Sequence, residues 1–140
     1  MRATDTFRKH HEDILSVAGE IDALLSEDKV VEESKNISRL LAKFAGKLKG
    51  HLVMEDQVLY PKLMDHSDPQ INNMAARFLK EMGGIAETVE QYCATWRAPD
   101  SIAADPKTFI VQTKRLFSAL QRRIDNEDNI LYPALDSIDT

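Results

Sequence analysis

His11, His51, Glu55, Arg123 and Glu127 stand at positions in this 140-residue chain where the surrounding pattern asks for apolar side chains. His51 and Glu55 are one helical step of four apart, as are Arg123 and Glu127, so each pair shares a helix face. An isolated charge in an apolar interior is costly, and buried charges are therefore paired or hold a metal ion. Zinc accepts imidazole and carboxylate ligands, and ferrous iron accepts two histidines and a carboxylate with positions left open. Manganese is a further candidate. The same groups can also satisfy one another as hydrogen-bonded ion pairs with no ion present.

The elements that position these residues follow from punctuation and period. Thr4 or Asp5 can cap a first helix that runs to about Leu25, with Ser26-Glu27-Asp28-Lys29 as the turn after it. A second helix is expected from Val31 to Leu63. Asp68-Pro69 is a cap followed by proline at the first helical position, opening a third helix to Trp96. Ala98-Pro99-Asp100-Ser101 ends it, and Asp105-Pro106 opens a fourth helix to Leu135. Each carries an inward seam at steps of four and three. Helix one reads Phe7, His11, Ile14, Ala18, Ile21, Leu25 and helix three Ala75, Phe78, Met82, Ile85, Val89, Tyr92, Trp96. Helix two reads Ile37, Leu41, Phe44, Leu48, His51, Glu55, Val58 and helix four Phe109, Thr113, Leu116, Leu120, Arg123, Glu127, Ile130. The pattern predicts an all-α, up-down-up-down four-helix bundle in a single domain, residues 1–140.

An internal repeat sets the heights. HLVMEDQVLYPKLM at 51–64 aligns with RIDNEDNILYPALD at 123–136, pairing Glu55 with Glu127, Asp56 with Asp128 and Leu59-Tyr60-Pro61 with Leu131-Tyr132-Pro133. FRKHHEDI at 7–14 echoes FLKEMGGI at 78–85 more weakly. The chain reads as two copies of a helical hairpin, with its polar interruptions converging on one level of the core. The Leu-Tyr-Pro segments predict a kink or loosened turn, because proline is disfavoured inside a helix.

Composition narrows the partners. Net charge is −5 and no Lys/Arg stripe forms, so no nucleic-acid footprint is expected. No apolar run approaches the ~18 residues of a spanning helix, so no membrane role is expected. Cys93 is the single cysteine, which excludes an intrachain disulfide. The N-terminal MRATDTFRKHHED lacks the apolar stretch of a signal peptide. A reducing, cytoplasmic setting is the expectation.

The Phe7-x-x-x-His11-x-x-Ile14, His51-x-x-x-Glu55 and Leu59-Tyr60-Pro61 segments, in this order, resemble the hemerythrin-like HHE cation-binding family over nearly the whole chain. Full members hold two non-haem irons with five histidines and two bridging carboxylates, and many bind or sense oxygen, iron or redox state. The resemblance places His11, His51, Glu55 and Glu127 at ligand positions, with Asp128 a competitor for Glu127. It also asks for two histidines on helix three, where Met82 and Ala86 stand around Gly83-Gly84, and for one on helix four, where Arg123 stands. By that pattern the terminal ligands of one metal are kept and all three of the second are lost.

What the resemblance implies is a degenerate site for one divalent ion, zinc or iron, in a regulatory or sensory module. Oxygen carriage in the family needs two irons to deliver two electrons. No separate general base stands out, so no enzymatic role is expected. Arg123 is expected to point inward beside Glu55 and Glu127 as a surrogate for the second ion; the alternative is an outward side chain with only its stem packed. A third reading recruits Glu81 or Glu87 as substitute ligands for two irons. The metal-free reading is an interaction bundle with a buried His/Glu/Arg network. His10 is read as solvated, Met82 as core filler, and Tyr60, Tyr132 and Cys93 as packing residues.

Overall fold

The computed structural model of the chain describes residues 4–138; the ends of the expected domain, residues 1–3 and 139–140, lie outside them. The described residues are all-α, with no strand among them. The helices are α1 (Asp5–Asp22), α2 (Glu27–Glu32), α3 (Ser34–Met54), α4 (Tyr60–Met64), α5 (Pro69–Met82), α6 (Ile85–Trp96), α7 (Pro99–Ala104), α8 (Pro106–Asn126) and α9 (Tyr132–Ile138). Helix α1 packs on α3 and α8, and α6 packs on the same two, giving a four-cornered bundle. The short α2 and α7 close one end, where Val30 and Ile102 are completely buried.

The helix ends follow local chemistry. Asp68 accepts a bond from the Gln70 N–H, and Asp105 accepts one from the Thr108 N–H at 3.3 Å, each just before a proline. Thr4 sits at the N-cap of α1 but does not cap it through its side chain. Its hydroxyl instead donates to the Asp136 carboxylate at 2.8 Å, and Arg8 Nη2 meets the same carboxylate at 3.1 Å. The first and last helices are thereby clamped together. Two expected connections contain helix: Ser26 in extended backbone precedes α2, and Pro99 starts α7.

The expected second and fourth helices each contain one widened π turn, Glu55–Leu59 and Glu127–Leu131. The cause is proline. The ring of Pro61 would strike the Gln57 carbonyl and offers no N–H, and Pro133 does the same to Asn129. The chain accommodates this with one extra residue in the turn, so that Tyr60 N–H reaches back to the Glu55 carbonyl and Tyr132 N–H to the Glu127 carbonyl. This corrects two seam positions. Val58 and Ile130 were expected inward but are 65% and 42% exposed, while Tyr60, Leu131 and Tyr132 are buried. In an unbroken α-helix a residue five positions on is rotated ~140° away, and the widened turn brings it back toward the core.

The expected third helix breaks at Gly83-Gly84. Gly83 N–H closes α5 on the Leu79 carbonyl at 2.7 Å, and α6 restarts at Ile85. A Cβ at Gly83 would collide with that carbonyl oxygen, whereas one at Gly84 meets nothing within 4 Å.

Two apolar clusters fill the interior. One, with Ile14, Phe44, Leu48, Leu120 and Phe109, occupies the part closed by α2 and α7. The other, with Tyr60, Leu63, Phe78, Met82 and Tyr132, lies toward α4, α5 and α9. His11 on α1, His51 and Glu55 at the end of α3, and Arg123 and Glu127 at the end of α8 fall between them.

Candidate metal centre

Glu55 and Glu127 are the first residues of the two π turns, and His51 and Arg123 precede them by one turn on α3 and α8. His11 projects from the middle of α1. The structure brings His11, His51, Glu55 and Glu127 together: one donor atom from each lies within 4.8 Å of all the others, and all four side chains are buried. His11 Nε2 is 3.2 Å from Glu127 Oε1 and 3.8 Å from Glu55 Oε1. His51 Nε2 lies against Glu55 Oε1. His51 Nε2, Glu55 Oε1 and Glu127 Oε1 are buried and make no aligned hydrogen bond. Buried polar atoms are rarely left in that condition. Two nitrogens and two carboxylate oxygens converge here, only His11 Nε2 having a further neighbour, the Tyr132 hydroxyl at 3.4 Å, and they are a donor set that fits a divalent cation.

The remaining atoms of these groups are engaged from outside. His11 Nδ1 meets Asp128 Oδ1 at 2.8 Å, the carboxylate–histidine arrangement that turns the opposite nitrogen toward a metal. Asp128 therefore sits behind His11, and Glu127 occupies the cluster. Tyr60 donates to Glu127 Oε2 at 2.7 Å and Tyr132 donates to Glu55 Oε2 at 3.1 Å, so each phenol serves the glutamate of the opposite repeat. The Oε1 atoms are left facing inward. His10 Nδ1 faces His51 Nδ1 at 3.1 Å.

Arg123 is 1% exposed. It donates from Nε to Glu127 Oε2 at 3.2 Å, from Nη2 to Asp56 Oδ1 at 2.7 Å, and from Nη1 to the Met82 carbonyl at 3.3 Å. Asp56, rather than the anticipated Glu55, is its second carboxylate. Met82 is buried, and its sulfur accepts from Asn126 Nδ2 at 3.4 Å. Glu81 and Glu87 are exposed on α5 and α6 and contribute nothing to the cluster.

The charges are strongly coupled. Burial alone would lower the pKa of His11, but hydrogen bonds to Glu127 and Glu55, with Asp128 behind the ring, raise it to about 10. Glu127 is pushed up to about 7, mainly by burial and further by Glu55. Burial also opposes ionisation of Glu55, yet the His11 and His51 rings against its Oε1 hold it well below the usual carboxylate range. Arg123 would lose affinity for its proton on burial, but Glu127, Glu55 and Asp56 more than compensate. The His11 proton thus supplies positive charge to the carboxylate pair, and a bound cation would displace it.

The sequence pattern missed the tyrosine donors, Asp56 and His10. A uniform helical period carried through both prolines leaves Tyr60 and Tyr132 off the seam. The Glu-Asp pairs shared by the repeats were the available signal for Asp56 and Asp128. His10, expected to be solvated from its place off the seam, is half-buried against His51.

The fold and the donor set define a class, an all-α bundle with a buried His/Glu group suited to a cation. The chain matches the hemerythrin HHE cation-binding domain over residues 2–135 and belongs to that family. No curated protein and no solved structure matches it significantly. Among the described residues no helix is long and apolar enough to cross a membrane.

Proposed function

We propose that the chain binds one divalent cation, iron or zinc, through His11, His51, Glu55 and Glu127, and acts as a regulatory or sensory module of its family. The observation that carries this reading is the convergence on His11 Nε2 of three buried atoms that make no aligned hydrogen bond. Arg123 stands in for a second cation. Its guanidinium carries fixed positive charge and no lone pair, so it balances Glu127 and Asp56 while being unable to ligate. The place of the family's helix-four histidine is thus filled by a cation of the protein's own. Met82 and Ala86 likewise offer no imidazole. One-ion occupancy argues against oxygen carriage, which draws on two irons, and no general base outside the cluster argues for an enzyme. A cytoplasmic location accords with the single, half-buried Cys93. When bound, iron would supply one-electron chemistry at an open position, and zinc a closed structural centre.

Metal analysis of the purified chain tests this. One ion per chain is expected, with occupancy lost in His51→Ala. Two ions per chain, or occupancy indifferent to His51→Ala, would refute it. A metal-free interaction bundle is favoured by one observation, the hydrogen-bonded His11–Asp128 pair beside a charge already balanced by Arg123. The two readings separate on heating. Ion at about 100-fold above Kd should stabilise a binding protein by about 2.7 kcal/mol, and a metal-free bundle should show no rise in Tm.

A further inference from the structure

Asp128 fixes the orientation of His11, but among the described residues no carboxylate is hydrogen-bonded to His51. In its place is His10, on the neighbouring face of α1, with the two Nδ1 atoms 3.1 Å apart and the rings edge to face at 86°. Two ring nitrogens at that distance share one proton, so one donates and the other accepts. If His10 donates, a neutral His51 must carry its own proton on Nε2, aimed at Glu55 and the donor cluster. If His51 donates, its Nε2 lone pair is free. Only the second arrangement is compatible with Nε2 as a ligand.

We propose that His10 is a positioning residue for the cation site, accepting the Nδ1–H of His51 so that the His51 Nε2 lone pair faces Glu55, Glu127 and His11. The inference rests on the metal reading above and adds a residue outside the donor set. Packing holds the pair in place. Phe7 stands edge-on to both rings, 6.4 Å from His10 and 5.8 Å from His51 between centroids. His10 and His51 both line a cleft of about 320 Å³ with Asp13, Lys47 and Met54. The outer edge of the site therefore meets the surface at this imidazole. Metal-ligating histidines characteristically donate their second N–H to an acceptor behind the ring, most often a carboxylate, carbonyl or water, and losing it costs about 10–100-fold in metal affinity; here His10 Nδ1 takes that place.

Zinc titration of the full chain against a competing chelator tests the proposal. His10→Ala should bind about 10–100-fold more weakly than the native chain. His10→Asn, whose side-chain oxygen can take the place of Nδ1 as acceptor, should recover most of the loss. Nitrogen NMR of the zinc-loaded native chain should place the His51 proton on Nδ1 and the metal on Nε2. This spectrum carries the test alone should the alanine variant fold poorly. Unchanged affinity in His10→Ala, no recovery in His10→Asn, or ligation through His51 Nδ1 would each overturn the proposal while leaving the metal reading intact. A native chain that takes up no zinc or ferrous iron would overturn both.

Discussion

At Arg123 a fully charged guanidinium is sealed in the core by Glu127, Asp56 and the Met82 carbonyl. Removing one partner of a buried ion pair leaves the other charge uncompensated, at a typical cost of about 3–5 kcal/mol. Arg123→Met is expected to lower the unfolding free energy by about that amount in urea titration. Because Arg123 and Glu127 are in contact, Arg123→Met combined with Glu127→Gln should lose less than the sum of the two single changes. The sequence made these residues visible as charges interrupting apolar seams. It did not reveal their outer partners. Asp56 and Asp128 look like ordinary surface acids beside a glutamate, and only the docking of two repeats sets one against Arg123 and the other against His11.

At the scale of elements, the cap-and-proline pairs Asp68-Pro69 and Asp105-Pro106 marked the helix starts directly, since their signal is local. The π turns were foreseen only as loosened segments. A widened turn changes the face presented by everything after it, and a fixed period then misassigns Val58 and Ile130. The short α2 and α7 were missed because six residues do not establish a period. Consecutive glycines disfavour helix, so the Gly83-Gly84 break also has a local cause, and its two glycines differ. Gly83→Ala drives a methyl group into the Leu79 carbonyl and should destabilise by about 1–3 kcal/mol, the usual range for forced overpacking. Gly84→Ala meets open space and should stabilise by about 0.4–1 kcal/mol through the unfolded chain. Thermal melts of the two variants should therefore move in opposite directions.

Across the whole molecule all three tyrosines are buried, and each phenol resists ionisation. Burial raises the pKa of every one. Glu127 adds to the effect at Tyr60 and Tyr132, while at Tyr92 a hydrogen bond with Thr113 opposes it only in part. A folded-state pKa above the ordinary value of about 10 favours the fold below that pH, and the advantage fades as alkali ionises the unfolded chain's phenols first. Absorbance of tyrosinate should stay absent through pH ~10 and then emerge together with the loss of helical circular dichroism. Tyrosinate that develops near its ordinary pKa with the helices intact would contradict this burial.

The crossed bonds from Tyr60 to Glu127 and from Tyr132 to Glu55 have a further consequence for folding. Leucines, isoleucines and phenylalanines recurring at every turn make one axial offset between the two hairpins almost as acceptable as the next. A slip of a single turn, ~5.4 Å, would keep much of that oily contact yet part Tyr60 from Glu127, Tyr132 from Glu55 and Arg123 from Asp56. The polar layer thus works as a register mark, selecting one alignment of the halves from several near-equals, and the same atoms that would receive an ion decide which bundle the chain becomes.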